Sequence, residues 1–494
     1  MTFSSLVFIF YFLPLVLMLY YLFFFSRTIK NIILLLCSLI FYTFGEPKYI
    51  LLLLISIGVN YLLGLLIGSV KRRKSTATFW LSVAVIFNLS TLVVFKYLTF
   101  ISKNVYYATG GKTQVIEIAL PIGISFFTFQ AISYVVDVYR RDVKAQKNLF
   151  HFALYLSFFP KLTQGPVMKY ETFAPQITER RETFQKFSSG ICFFITGLGK
   201  KVLLANNMAI VVDRIFEIHK MGDLSVSLAW LGAIAYTFQI YFDFSGYSDM
   251  AVGLGLLFGF KLDRNFNYPY VAKSISEFWR RWHMSLGTWF REYLYFPLGG
   301  SRVKNKDLLI RNLAIVWIAT GVWHGANWTF LVWGIINFVF IAIEKMFGLE
   351  QSKIPNFLRH IYAMLVVILG WVIFRSNSLQ EAGSYLTNMF NVVSNEFFSD
   401  YTYMFLKEFW IFFIAAILFS LPIASITNQF MAKGILIRKN VDLTPPYKEH
   451  SVYVEAPLVR VMSILYPVGM VLLFIICVAY MVKGSYNPFI YFQF

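Results

Sequence analysis

From Leu6 to Phe25 the chain runs without one charged side chain, and stretches of the same kind recur to its end. Such runs dictate the solvent: about 20 apolar residues wound as a helix cross the hydrocarbon core of a bilayer. Candidate spans are 6–25, 31–44, 49–67, 79–100, 116–136, 149–162, 190–205, 226–241, 250–260, 308–320, 328–343, 361–373, 405–423 and 461–482. Several are too short for a full crossing and read as tilted, buried or re-entrant helices, which membranes tolerate only where protein or a polar cavity surrounds them. The predicted fold class is all-α: a polytopic membrane protein of about 11–14 transmembrane, re-entrant or buried helices around a central tunnel or funnel.

Composition agrees. Charged residues make up 14% and hydrophobic residues 58%, whereas a soluble domain carries about 25% charged residues. The net charge of +19 invites a nucleic-acid reading, but no long basic face lies outside the apolar runs, so no nucleic acid is expected. Basic loops resting on anionic headgroups of the lipid bilayer account for the excess. Arg27 and Lys30 follow the first span, 71–74 the third and Arg140-Arg141 the fifth. The positive-inside rule then predicts an extracytoplasmic N-terminus. The first span lacks a preceding basic residue or a small-residue cleavage site and reads as a membrane helix, not a removed signal. Segment 169–186, with Glu179-Arg180-Arg181-Glu182, reads as an amphipathic surface helix on the cytoplasmic side. Cys37, Cys192 and Cys477 sit in or beside apolar runs without metal spacing, as buried reduced thiols do. One integral-membrane domain over 1–494 is expected, with its motif-bearing core at 1–350, less specific helices at 351–494 and a linker near 431–455.

Two features break the apolar pattern. Region 241–302 mixes Asp243, Asp249, Glu277, Arg280, Arg281 and Glu292 with aromatic residues and glycines. That mixture suits a half-buried funnel entering from the cytoplasmic side. The second is His324, within Gly321-Val322-Trp323-His324-Gly325-Ala326-Asn327-Trp328. A titratable ring at membrane depth is costly unless it is paired or lines a wet cavity, so it marks a functional site by default. A neutral imidazole takes a proton from a hydroxyl that attacks a carbonyl. His283, upstream in Trp279-Arg280-Arg281-Trp282-His283, would position a donor, relay a proton or steady developing charge. His324 and His283 are the candidate catalytic pair. Trp279, Arg280, Trp282, Trp323 and Asn327 are candidate substrate-binding residues, with Trp323 and Trp328 as cavity walls and Gly321 and Gly325 allowing close approach. A helix-packing role for either histidine, and a two-histidine metal site, are the bland alternatives; no third ligand is spaced for a metal, so none is expected. His151, His219, His360 and His450 read as interfacial. Neither GxSxG nor a phosphate-binding GxxxxGK[ST] occurs, so chemistry ending on a polymer outside the cell would need a partner.

The motifs resemble a known family, the membrane-bound O-acyltransferases, in their bacterial branch. The resemblance is carried by Phe242-Asp243-Phe244-Ser245-Gly246-Tyr247-Ser248-Asp249, Asn265-Phe266-Asn267-Tyr268-Pro269-Tyr270, Ser276-Glu277-Phe278-Trp279-Arg280-Arg281-Trp282-His283-Met284-Ser285, Trp289-Phe290-Arg291-Glu292-Tyr293 and the His324 segment. Upstream, Pro121-Ile122-Gly123-Ile124-Ser125-Phe126-Phe127 and Phe158-Phe159-Pro160-Lys161-Leu162 extend it. The resemblance implies acyl transfer in a membrane-embedded tunnel. The family's invariant histidine falls on His324 and its second motif residue on His283. It implies acetyl-CoA as cytoplasmic donor, with no resident cofactor. It implies an extracytoplasmic SGNH-type acetyltransferase or similar acceptor protein that places the acetyl group on a polysaccharide, and residence in the bacterial cytoplasmic membrane. D-alanyl transfer to teichoic acids, and a conduit without bond-making, are the competing expectations.

Overall fold

A computed structural model of the chain describes residues 1–70, 73–393, 395–423 and 457–484. Helices and the loops between them make up the described residues, with no strand among these. The chain opens with a π turn, Phe8–Phe12, running into α1 (Leu13–Leu22), α2 (Arg27–Gly45) and α3 (Ile50–Ser69). Helix α4 (Lys74–Leu92) passes through a π-helical turn, Val93–Tyr97, into α5 (Leu98–Ala108). After α6 (Ile124–Arg140) come the short α7 (Leu149–Ser157), α8 (Phe159–Leu162) and α9 (Tyr170–Glu179). A third π turn, Lys200–Ala205, joins α10 (Phe184–Gly199) to α11 (Asn206–Met221), and α12 (Val226–Leu257) returns. The site region holds α13 (Ile275–Arg281), α14 (Met284–Phe290), α15 (Lys306–His324), α16 (Trp328–Phe347) and α17 (Asn356–Arg375). Helices α18 (Leu379–Phe390), α19 (Asp400–Ser420) and α20 (Pro457–Lys483) follow. Eight of the described helical stretches are long and apolar enough to cross a membrane, which makes this a multi-pass membrane protein.

The structure departs from the expected spans where polar residues find partners. Stretches 226–241 and 250–260, expected as two elements, fall on the single helix α12, which ends at Leu257. The residues that break the apolar pattern there are neutralised from the neighbouring π turn: Lys201 pairs with Asp243 at 2.6 Å and Lys200 with Asp249 at 2.6 Å. Gly246 is the third apparent interruption, and a Cβ there would meet the Gly197 carbonyl of α10 at 2.7 Å. Small residues let membrane helices approach backbone to backbone, so this glycine joins the helices instead of breaking one. The expected span 116–136 begins later, because 112–121 has no regular structure and α6 starts at Ile124. Segment 149–162 breaks at Phe158. In region 241–302 the first part is buried helix, and the remainder packs as short helices and loops. The linker near 431–455 and His450 lie outside the described residues.

The expected surface helix at 169–186 is also shorter. It ends at Glu179, and Arg180 turns inward to 4% exposure. Its guanidinium donates to the carbonyls of Phe258 (3.1 Å) and Ile177 (2.7 Å) and lies 4.3 Å from the centre of the Phe260 ring. Beside it Glu182 gathers Arg27, Tyr20 and Lys30, the last at 3.4 Å. This knot ties the ends of α1, α2, α9 and α10 together.

Burial alone would raise the Glu182 carboxyl, but hydrogen bonds from Arg27 and Tyr20 outweigh it and hold the group down at about 2. A depressed carboxyl stabilises the fold fully above its ordinary value of about 4.3 and loses that contribution as pH falls toward the folded value. Glu182→Gln should therefore lower the melting temperature of the detergent-purified protein by a few degrees at pH 7. The gap between wild type and variant should close as pH drops from about 4.5 to 2, and a gap that stays constant over that window would exclude this role.

Candidate active site

Helix α15 ends at His324 in the interior, and its last carbonyls need partners that lipid cannot give. They come from the π turn between α4 and α5. The Lys96 ammonium donates to the carbonyls of Trp323 and His324, the latter at 3.1 Å, and the Tyr97 hydroxyl donates to that of Val322. A cation at a helix C-terminus also opposes the negative end of its dipole. Lys96 is buried, with Ser125 Oγ 3.5 Å from its Nζ. Pi-helical turns inside longer helices are frequent at functional sites, and this one brings two successive polar groups to the same helix end.

Helices α15 and α16 cross through two glycines. A Cβ at Gly321 would stand 2.5 Å from the Phe330 carbonyl, and one at Gly334 2.6 Å from the Trp317 carbonyl. Gly321 thus admits the backbone of α16, and the position of Gly325 is taken up by the Phe330 ring. The His324 imidazole is held edge-on by Trp333 (5.1 Å between ring centres), Phe374 (5.4 Å) and Trp323 (4.9 Å).

His283 lies between α13 and α14 with φ 44° and ψ 51°, a left-handed conformation that disfavours a side chain. The surrounding backbone enforces it. Met284 donates to the Asn265 carbonyl and Asn267 to that of Arg281, both at 2.9 Å, so 265–267 straps the junction. The Asn265 side-chain oxygen accepts from Ser285 Oγ (2.6 Å) and Ser285 N (3.1 Å) and lies 3.3 Å from His283 Nδ1. With the proton on Nδ1, directed at Asn265, the Nε2 lone pair is available, and Nε2 has no partner among the described residues. A carboxylate holds the other end of α13: buried Glu344 accepts from the backbone N–H groups of Ile275 (2.5 Å) and Ser276 (2.8 Å).

The two imidazoles meet on one indole. Trp323 lies 6.2 Å from His283 and 4.9 Å from His324, its own N–H without a partner among the described residues. Neither imidazole lines a cavity, but the residue that follows each histidine does: Gly325 lines one and Met284 another. One of about 880 Å³ includes Lys96, Gly325, Asn327, Gln239 and the Asp213–Arg375 pair (2.7 Å) in its lining. It opens where α11, α15 and α17 end. A smaller one of about 270 Å³ borders Met284, Ser285, Thr288, Lys169, Asp263 and Arg264. Lys169 pairs with Glu292 at 2.5 Å, which puts that cavity toward the end where α15 begins.

The other candidates are placed as follows. Asn327 lines the larger cavity, caps α16 and donates to the Asn377 carbonyl at 2.8 Å. Trp279 bonds Asn337 at 2.8 Å and packs edge-on against Trp317 and Trp333. Trp282 is enclosed by Phe266, Phe278 and Trp371. Arg280 points outward to Glu350 at 2.7 Å. Trp279, Arg280, Trp282 and Trp323 line neither cavity. His219 is buried against Tyr385, and His360 contacts the Ala272 carbonyl at 2.9 Å. Lys96, Asn265 and Glu344 were not singled out by sequence. Asn265 lies inside a motif, and a lysine in the middle of an apolar run was the available signal for Lys96.

The family model for membrane-bound O-acyltransferases matches residues 48–380. A probable alginate O-acetylase of Azotobacter vinelandii is 39% identical over the full length of both chains. A peptidoglycan O-acetyltransferase of Helicobacter pylori is 37% identical, covering 72% of this chain and 73% of its own. A teichoic acid D-alanyltransferase of Streptococcus thermophilus is 28% identical over 48% of this chain and 59% of its own.

Lys96→Met should lower unfolding stability in detergent by about 1.5–3 kcal/mol, the range for hydrogen bonds to a charged group, and Tyr97→Phe by about 0.5–1.5 kcal/mol. Equal, negligible shifts in thermal melts of both variants would show that the helix end is satisfied without them.

Proposed function

The chain belongs to the membrane-bound O-acyltransferase family, and from that premise we propose that it moves acetyl groups from a cytoplasmic donor, acetyl-CoA, across the membrane for O-acetylation of a cell-surface or secreted polysaccharide. The observation that carries this reading is the pair of buried imidazoles on the Trp323 indole, with one cavity reaching Gly325 next to His324 and another reaching Met284 next to His283. A slender thioester-bearing arm fits the smaller cavity by volume. Lys169 and Arg264 at that cavity suit the phosphates of a nucleotide that stays outside it. The wider, polar cavity beside His324 suits a hydroxyl-bearing acceptor. His324 takes the hydroxyl proton as its oxygen attacks the thioester carbonyl; the C–S bond breaks and the thiolate leaves toward the side of His283. Burial excludes competing water. In this reading Asn265 sets the tautomer of His283, and Asn327 orients the acceptor.

Full-length relatives that act by O-acetylation support acetyl over D-alanyl as the group moved, since the D-alanyltransferase match covers less than half of this chain. An extracytoplasmic SGNH-type enzyme would receive the acetyl group and complete transfer to the polymer. The membrane is the bacterial cytoplasmic one, with the basic loops inside.

His324→Ala should cut acetyl transfer roughly 10²–10⁴-fold, the usual contribution of a positioned general base, and His283→Ala should also impair it. The assay follows label from radiolabelled acetyl-CoA through the purified protein in vesicles, with membrane content of each variant as control. Wild-type transfer by the His324 variant would refute the assignment. A deletion strain that keeps acetylated polymer but loses wall D-alanine would favour the teichoic acid reaction instead.

A further inference from the structure

At the basic end of the molecule α3 finishes, α4 starts and α6 finishes around a third cavity, of about 1130 Å³. Its lining has two chemistries. One part is cationic: Arg73, Lys74, Arg140, Arg141, Lys144 and Lys147. The other is apolar and continues the membrane-facing helices through Leu65, Ile67, Val70, Ala77 and Val138. No carboxylate lines it among the described residues. Arg73, Lys74, Lys144 and Lys147 make no ion pair among those residues either. A topology signal asks only for basic residues on one side of the membrane. It does not ask for a walled hollow that joins them to an apolar face.

The walls are fixed in place. Loop 143–147 is fastened by the Gln146 N–H to the Tyr134 hydroxyl (3.0 Å), by the Gln146 amide to the Tyr170 hydroxyl (2.6 Å) and by the Tyr61 hydroxyl to the Lys147 carbonyl (2.7 Å). Ala145 sits where Gly68 leaves room: a Cβ at Gly68 would come within 2.6 Å of it. Across the cavity the Tyr139 and Thr78 hydroxyls join α6 to α4 at 2.9 Å. The backbones that carry Lys144 and Lys147 are therefore ordered before any ligand arrives, which lowers the entropic cost of binding.

We propose that this cavity binds a phosphate-bearing anion, and that its apolar wall selects the headgroup of an anionic phospholipid. The cations hold the phosphate and the wall of α3, α4 and α6 takes the first part of the acyl chains. The site is separate from the histidine pair; Arg140 reaches toward that region, donating to the Glu292 carbonyl at 3.2 Å and lying 5.3 Å from the centre of the Tyr293 ring.

Native mass spectrometry of the detergent-purified full chain tests this with phosphatidylglycerol, phosphatidylcholine, acetyl-CoA and inorganic phosphate as separate probes. Each cation near an anionic surface contributes roughly fivefold in affinity. The triple variant Arg73→Gln/Lys144→Gln/Lys147→Gln should therefore lose phosphatidylglycerol by well over tenfold. The charge-keeping Lys144→Arg/Lys147→Arg should retain it. Lys112→Gln, in a loop at the other end of α4–α5, should bind like wild type. Ala77→Trp leaves every cation but fills the apolar wall, and should weaken phosphatidylglycerol while sparing inorganic phosphate. Undiminished phosphatidylglycerol binding in the triple variant, or in Ala77→Trp should the triple variant fail to fold, would overturn the proposal. Loss of acetyl-CoA with lipid binding intact would also overturn it, by assigning the cavity to a soluble phosphate.

Discussion

A helix that stops inside a membrane protein leaves carbonyls without partners, and in this chain that problem is solved at the residue on which the chemistry is proposed to turn. Helix α15 ends at His324, and Lys96 and Tyr97 accept the task of pairing its last three carbonyls. The consequence is positional. With those carbonyls satisfied the chain turns away at Gly325, in extended conformation and lining the larger cavity, and the imidazole stands at the end of the helix instead of one turn inside a continuous one. The same lysine joins the end of α15 to α4, so the ring and the Val93–Tyr97 turn hold one position relative to each other.

His283 depends on a different device. It has no helix of its own, and its left-handed backbone is imposed by the Asn265–Asn267 strap on one side and by Glu344 capping α13 on the other. The strap lies 18 residues upstream of the ring and Glu344 comes from α16, so the ring is positioned by contacts outside its own helices. Shared contact with Trp323 then fixes the two imidazoles relative to each other, since neither can move without displacing an indole that is also packed against Phe126 and Phe129.

The pair itself was legible in the sequence because a titratable ring in an apolar run is energetically conspicuous. The supports were less so. Lys96 interrupts an apolar run as plainly as His324 does, but its partners are backbone carbonyls more than two hundred residues away, and backbone acceptors leave no mark in a side-chain pattern. Continuity of α12 was hidden for the opposite reason. Asp243 and Asp249 read as breaks until Lys201 and Lys200 are placed against them. Arg280 and Trp282 stand next to His283 in sequence and point elsewhere, Arg280 to Glu350 and Trp282 into solid aromatic packing. Proximity along a chain with so much irregular backbone says little about which side chains share a cavity.

The two cavities beside the histidines differ in a way that gives the proposed transfer a direction. The smaller is reached from the end where α15 begins, where Lys169 and Arg264 supply cations beside Asp263. The larger lies at the opposite end of the same helix and carries paired charges and amides: Asp213 with Arg375, Asn327 with the Asn377 carbonyl, and Gln239. Three carboxylates, Asp213, Glu217 and Glu381, stand among the cations of the second and oppose a phosphorylated donor, whereas the lining of the first has one, Asp263. A neutral, hydroxyl-rich acceptor is indifferent to charge but needs donors and acceptors fixed in space, which the second provides. The asymmetry resides in side chains on a single set of helices, so direction follows from which ligand each end can hold and needs no movement of the helices past one another.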